Sequence, residues 1–482
     1  MTEKDAQNTP ARPGIGGFLR SHRRALTIAG GAVAVAVLAT VAITGGAAIG
    51  SGAPAASASK AVVTASATPT PDPRPVPAAA TTASRLRTCS VAGLAADGRL
   101  ASMQAQVLNA ATGEVLFDRG GTTPSRAASV MKVLTSAGAL AVLGPDYRAT
   151  TTVVKGSEPG SAVLVGGGDL TLSRLPSGQE SAYTGAAHLD DLAAQVRAAW
   201  AADPSNPPLT SLVLDSSLFA GPDWEPSWNT KEQSDGYISR VSALQVDGDR
   251  DNPARNTSAR SDDPVGRAGQ AFADALGGIA TISSGTAPAG AAQLGAVQSQ
   301  PVATLIQQSL IVSDNTIAEM LARLTAVKAG TGTGFTGIQA AVLGGLATYG
   351  IDTTGITIVD GSGLSDNNAI PPSYLTRLFV KINAREGNLG VIFDGLPVAG
   401  RSGSLSYSDR FVGAASVADG SVFAKTGWID TGYTLSGVIH SADGTPLTFA
   451  VYALGDVSEN AKTAIDLLTA GFYSCGDNLS NY

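Results

Sequence analysis

The sequence predicts an α/β (α+β) protein whose first and last folded segments share one antiparallel sheet, with an accessory domain inserted between them. Three observations predict it. Two strands and a helix begin near residue 103, and three strands and a helix follow from residue 421. The stretch between them is far longer than a connection between neighbouring elements needs.

Between Met103 and Asp118, Val107, Val115 and Phe117 are the apolar members of two strands around a turn at Ala111-Thr112-Gly113. Pro124 and Ser125 are start signals for a helix carrying Val130, Val133, Leu134, Ala137 and Leu140 at apolar spacing, and Gly144-Pro145 ends it. From about Thr150 to Pro288, strand-like pieces (Ala162 to Gly166, Ser211 to Asp215) mix with Gly, Pro and Asp turns and a helical pattern at Leu189 to Trp200. This stretch, 150–288, reads as the inserted domain, leaving 86–149 and 289–482 as the principal one. At the far end, Ser421 to Lys425, Tyr433 to His440 and Leu447 to Leu454 read as consecutive strands, with a helix from about Glu459 to Phe472. No repeat of fixed period interrupts this order.

The N-terminal part is of another kind. Residues 1–24 are polar and end in Arg20, Arg23 and Arg24, whereas 25–50 contain no charge. A run of about 20 apolar residues spans a bilayer, and a cleaved signal has a shorter one of about 7 to 15, so a retained anchor is expected. The arginines place Met1 in the cytoplasm and the remainder outside. A signal peptide cleaved near Ala53 to Ala58, leaving a secreted protein, is the alternative. Residues 51–85 are mostly Ser, Ala, Thr and Pro, with Pro69, Pro71, Pro73, Pro75 and Pro77 at every second position, a composition that makes an extended spacer.

A net charge of −7 argues against a nucleic-acid partner, which needs a basic surface. The two cysteines, Cys89 and Cys475, bracket the folded region. In an oxidising exterior they can form one disulfide joining its ends; two free, partly buried thiols are the alternative. With three scattered histidines, His22, His188 and His440, no metal-ligand spacing exists, and no metal or cofactor is expected. The same shortage disfavours a Ser-His-Asp site.

Three short strings carry the chemistry: Ser129-Val130-Met131-Lys132, Ser313-Asp314-Asn315 and Lys425-Thr426-Gly427. On a helix, Ser129 and Lys132 share a face, so the amine reaches the hydroxyl, and the helix start supports an oxyanion. The second match, Ser57 to Lys60, falls in the spacer, which cannot hold two side chains in register. For Lys132 to accept a proton near neutral pH its pKa must fall well below about 10.4, through desolvation or a second cation, for which Lys425 is the candidate. Ser313-Asp314-Asn315 lies on a turn between two helical patterns, 184 positions after Ser129. There Ser313 would relay a proton to a leaving amine and Asn315 would bind a substrate amide. The other copy, Ser365-Asp366-Asn367, lies in a Gly-rich loop and reads as structural. Lys425-Thr426-Gly427 ends the apolar strand Val422-Phe423-Ala424, where Gly427 admits substrate backbone and Lys425 offers a cation to a terminal carboxylate.

On these motifs the chain resembles the D-alanyl-D-alanine carboxypeptidases and endopeptidases of the class C penicillin-binding proteins over residues 86–475. Further matching strings are Gly166-Gly167-Gly168-Asp169, Leu214-Asp215 with Phe219, the Asp360 to Ser365 loop with Asn368 and Pro371, and Ala399 to Leu405 followed by Arg410. The resemblance implies a penicillin-recognising serine transferase fold with a five-stranded antiparallel sheet flanked by helices. It implies that Ser129 is the acylated nucleophile and Lys132 its base. Ser313 and Asn315 would form the second wall of the cleft, and Lys425 and Thr426 the third. The oxyanion hole would be the backbone amides of Ser129 and Trp428. The implied activity is hydrolysis of peptidoglycan stem peptides ending in two D-alanines, with β-lactams as inhibitors. The rivals are a serine β-lactamase, which the long insertion disfavours, and a wall-binding or sensor protein without catalysis. The chain departs from the family at Trp428, where a hydroxyl residue commonly follows the Lys-Thr-Gly triplet. Its insertion also looks short.

Overall fold

The structure, a computed structural model, describes residues 85–482. The expected cytoplasmic segment and membrane anchor lie outside those residues, as does the spacer except for its last residue. Among the described residues no helix is long and apolar enough to cross a membrane.

Two five-stranded sheets organise the described residues. The first is built from the two ends of the folded chain in the order β2-β1-β10-β9-β8: Val115–Arg119, Ser102–Asn109, Pro446–Leu454, Gly432–His440 and Val422–Ile429. All four neighbouring pairs are antiparallel, with β1 meeting β10 from Ser102 opposite Leu454 to Asn109 opposite Leu447. Strand side chains alternate between faces. Leu447, Phe449, Val451 and Ala453 therefore join the core under the C-terminal helix, whereas Ala450, Tyr452 and Leu454 join the larger helical core on the other side.

Among the described residues the eight longer helices are α1 Met131–Val142, α2 Leu189–Ala201, α3 Pro264–Ala275, α4 Val302–Val312, α5 Asn315–Ala329, α6 Ile338–Ala347, α7 Pro372–Asn383 and α8 Ala461–Cys475. The approach to α1 differs from expectation. Pro124 and Ser125 do not start the helix, because the Ser125 backbone is bridged to Ile370, and helical turns begin only at Ala128. Cys89 and Cys475 form a disulfide, which ties the start of the described chain to the end of α8.

The second sheet belongs to the insertion and has the order β6-β5-β4-β3-β7: Thr281–Ser284, Ser211–Asp215, Ser161–Val165, Thr150–Lys155 and Gln293–Gln298. It is mixed, since β5 runs parallel to both β4 and β6. It also reaches past residue 288, because β7 returns to pair antiparallel with β3 before the chain enters α4. A boundary at 288 would cut off an edge strand, and no composition change marks the true one. Helices α2 and α3 cover this sheet around Leu192, Val196, Leu214 and Phe272.

Candidate active site

Ser129 lies in a 3-10 turn, Ala128–Val130, that leads into α1. Ala128, just before it, has φ +46°, a left-handed conformation that costs an alanine free energy and persists only where surroundings impose it. The surroundings are visible. Thr434 of β9 donates to the Ala127 carbonyl at 2.7 Å, and Gly363, at φ +87°, lies so close that a Cβ there would collide with the Ala128 carbonyl. Gly427 has the same task on the other side, where a Cβ would strike Thr434 and lie 2.9 Å from the Ala127 carbonyl. Its missing side chain thus makes room for the Ser129 turn.

One helical turn on, the Lys132 amine is fully buried. Its Nζ lies 2.8 Å from Ser129 Oγ, 2.6 Å from Asn315 Oδ1 and 2.8 Å from the Ser362 carbonyl. A charged ammonium donates to all three oxygens. A neutral amine donates to Asn315 and Ser362 and keeps its lone pair for the Ser129 hydroxyl, so both protonation states are satisfied in one geometry. Burial lowers the pKa of Lys132 to about 8. The surrounding charges that act on it, Asp360, Glu319, Asp314 and Glu232, are carboxylates and oppose that shift. Desolvation, and not a second cation, therefore does the work expected of Lys425.

The second motif occupies the corner between α4 and α5. Ser313 sits at φ +60°, and Asp314 caps α5 by accepting from the Ile317 amide at 2.8 Å. The Asp314 carboxylate also receives Arg250 of the insertion at 2.6 Å, with both side chains buried. Burial pushes that carboxyl up, but Arg250 and the helix amide more than reverse it and hold it below the ordinary range. Asn315 divides its amide between Lys132 and the Tyr237 carbonyl, to which its Nδ2 donates at 3.1 Å. Both ends are thus engaged within the protein, and the second Nδ2 hydrogen is left for a substrate amide carbonyl.

The third motif lies inside a strand and not at its end, since β8 continues through Ile429. Lys425 is fully buried, and its Nζ donates to Ser313 Oγ and to the Thr426 carbonyl, both at 2.8 Å. Burial, with Lys132 close by, pushes its amine well below the ordinary lysine range. It therefore reaches the cleft through Ser313, not as an open cation. Thr426 shares a 2.8 Å hydrogen bond with Ser404. On the free side of β8, the Ala424 amide donates outward to Pro397. Alternation along the strand turns the amides of Thr426 and Trp428 to that same side. The Trp428 ring is 44% exposed at the rim.

These groups line one cleft of about 400 Å³. Ser129, Ser313, Asn315, Thr426, Gly427 and Trp428 face it, and Lys132 and Lys425 stand behind Ser129 and Ser313. The duplicate string at Ser365 does not join them: Ser365 is buried and shares a hydrogen bond with Ser227. The insertion supplies Glu232, Tyr237 and Arg260 to the cleft. Burial, with Asp430 and Asp235 nearby, raises Glu232 to about 7, whereas burial and Arg250 lower Arg260 to about 10. Sequence reasoning missed Arg250, Tyr237 and Glu232, whose distance along the chain from Ser313 leaves no local signal. It also missed Glu319, although that residue lies four positions after Asn315 on α5, one turn along the same face. Among the described residues no group of His, Cys, Asp and Glu is arranged to hold a metal.

An antiparallel sheet flanked by helices, with a Ser-x-x-Lys turn set against its edge strand, defines a penicillin-recognising serine hydrolase. The chain belongs to the D-Ala-D-Ala carboxypeptidase 3 (S13) family, whose model matches residues 88–254 and 249–472. It is 37% identical to Carboxypeptidase DacB of Mycolicibacterium smegmatis over 405 residues, which cover 82% of this chain and 85% of that protein. In fold it is similar to penicillin binding protein 4 (dacB) from Haemophilus influenzae, with a TM-score of 0.64 and 20% identity over 79% of this chain and 96% of that one. The same Haemophilus protein complexed with a novel β-lactam matches with a TM-score of 0.62 and 18% identity, covering 81% of this chain and 99% of that one.

Proposed function

We propose that this member of the carboxypeptidase family removes the terminal D-alanine from peptidoglycan stem peptides through an acyl-enzyme on Ser129, and that β-lactams acylate the same oxygen. The observation that carries the assignment is the buried Lys132 amine, 2.8 Å from Ser129 Oγ, with a pKa of about 8. Lys132 takes the Ser129 proton as Oγ bonds to the carbonyl carbon between the two D-alanines. The tetrahedral oxyanion is held by the amides of Ser129 and Trp428. The C–N bond then breaks as Ser313, backed by Lys425, passes its proton to the departing amine and is reprotonated from Lys132, which becomes neutral again. Water attacks the ester and gives its proton to Lys132, and the acyl C–O bond breaks as Lys132 returns that proton to Ser129 Oγ. The β-lactam complex of the Haemophilus protein supports the inhibitor reading.

Fluorescent penicillin should label the wild-type protein and not Ser129→Ala, and D-alanine should be released from a pentapeptide. A protein that never labels overturns the assignment. Rapid turnover of the penicillin adduct, without D-alanine release, makes it a β-lactamase, and absence of both activities makes it a sensor. Mass spectrometry of digested wall fragments separates loss of terminal D-alanine from cleavage of cross-links.

We also propose that residues 25–50 anchor the chain with residues 85–482 outside the cytoplasm. The uncharged run and the three arginines before it support this. Added protease should digest the folded part on cells stripped of wall while sparing the N-terminus. Protection of the folded part counts against the orientation, and release of that part into the medium points to signal cleavage.

A further inference from the structure

Lys132 is steered by a loop that itself hangs from a buried carboxylate. Glu319, with no exposed surface, accepts from the Gly361 amide at 3.0 and 3.1 Å and from the Ser362 amide at 2.7 Å. The Ser362 carbonyl is the third acceptor of Lys132 Nζ. The loop cannot stand further off, because Gly361 is pressed on α5 so closely that a Cβ would lie 2.5 Å from that of Ala322 and 2.7 Å from the Ala318 carbonyl. From its other side Asp360 accepts from the Gly363 amide at 2.8 Å, within the same peptide group that carries the Ser362 carbonyl. Helix α5 thus approaches the lysine twice, directly through Asn315 and through this loop from Glu319, four residues later.

We infer that Glu319 is a positioning residue of the acylation step, holding the Ser362 carbonyl on the Lys132 amine and setting, by its charge, how readily that amine gives up its proton. The inference rests on the reading of Ser129 and Lys132 as nucleophile and base. A purely structural carboxylate would hold the loop and leave the titration of the lysine unchanged. The groups facing Lys132 are Ser129 on its own helix approach, Asp314, Asn315 and Glu319 at the start of α5, Asp360 and Ser362 in the loop, Glu232 from the insertion and Lys425 from β8. Of the carboxylates, Asp360 and Glu319 act on it most strongly. Burial and Asp360 push the Glu319 carboxyl up, while the amides of Gly361 and Ser362 donate to its oxygens and favour the anion.

The test is the pH profile of penicillin acylation of the full-length protein. In Glu319→Gln the buried anion is gone, the ammonium loses support, and the acid limb should move to lower pH by about one unit. An acid limb that stays at the wild-type pH in folded Glu319→Gln overturns the inference. Glu319→Asp keeps the charge but draws it back from the loop; the maximal acylation rate should fall about tenfold or more with the limb near its wild-type position. If the glutamine variant does not fold, an unchanged rate and limb in the aspartate variant overturn the inference. Labelling of wild-type Ser129, measured in parallel, separates its failure from failure of the active-site reading, since only the latter abolishes labelling altogether.

Discussion

Lys132 concentrates the chemistry in one amine whose three neighbours satisfy it with or without its extra proton. Only the neutral form can take the Ser129 proton, and burial brings its pKa down to about 8. Acylation should therefore rise roughly tenfold per pH unit below that value and level off above it. Stopped-flow penicillin acylation checks this, and a rate indifferent to pH between about 6 and 9 would remove Lys132 as the base. Gly427 bears on the same turn from the sheet side. Gly427→Ala should cost about 1 to 3 kcal/mol by overpacking and slow acylation, both seen by thermal melts and penicillin labelling, because the added methyl pushes on Ala127 and Thr434. At this scale the three motifs were legible because each is a short local pattern with its own chemistry. The use of Gly427 and the hydrogen bonds of Lys425 were not, since they depend on which remote backbone lies alongside.

Among the elements, strands β1, β2, β9 and β10 and helices α1 and α8 were readable from alternation and helical spacing. The errors lie where pairing overrides local signals: Ser125 is recruited by Ile370, and β8 runs on through Lys425-Thr426-Gly427 because β9 pairs with it to Ile429. Most consequential is the corner between α4 and α5, which the insertion holds from outside. Arg250 meets Asp314 at 2.6 Å in a buried ion pair, stacked 4.5 Å from the Tyr183 ring. Removing one partner of such a pair leaves an uncompensated charge and costs about 3 to 5 kcal/mol. Arg250→Met should lower the denaturation midpoint accordingly and slow D-alanine release, because Ser313 and Asn315 flank the freed carboxylate. Unchanged stability and activity would show that the insertion does not support the second motif. Nothing in the sequence pairs Arg250 with Asp314, 64 residues later.

For the whole molecule, the two ends of the folded chain build one sheet and are fastened by Cys89–Cys475 across 386 residues. Closing so long a loop restricts the unfolded chain, so reduction, or Cys89→Ser, should destabilise the protein by about 2 to 5 kcal/mol while leaving penicillin labelling of the folded fraction intact. Equilibrium unfolding with and without reductant measures this. Labelling lost together with the disulfide would mean that the pair shapes the cleft as well. The sharing of one sheet by both chain ends was legible, because two strands at one end and three at the other satisfy their backbone edges most fully by pairing with each other. The insertion's mixed sheet and its reach to Gln298 were not, since parallel pairing and an edge strand leave little local trace.

The central claim is that Ser129 carries the acyl group with Lys132 as its base. Mass spectrometry of the penicillin-treated protein tests it most directly. A single adduct on the peptide containing Ser129, absent in Ser129→Ala and forming far more slowly in Lys132→Gln, is the predicted result; an adduct on any other residue, or undiminished acylation without the lysine amine, would contradict it.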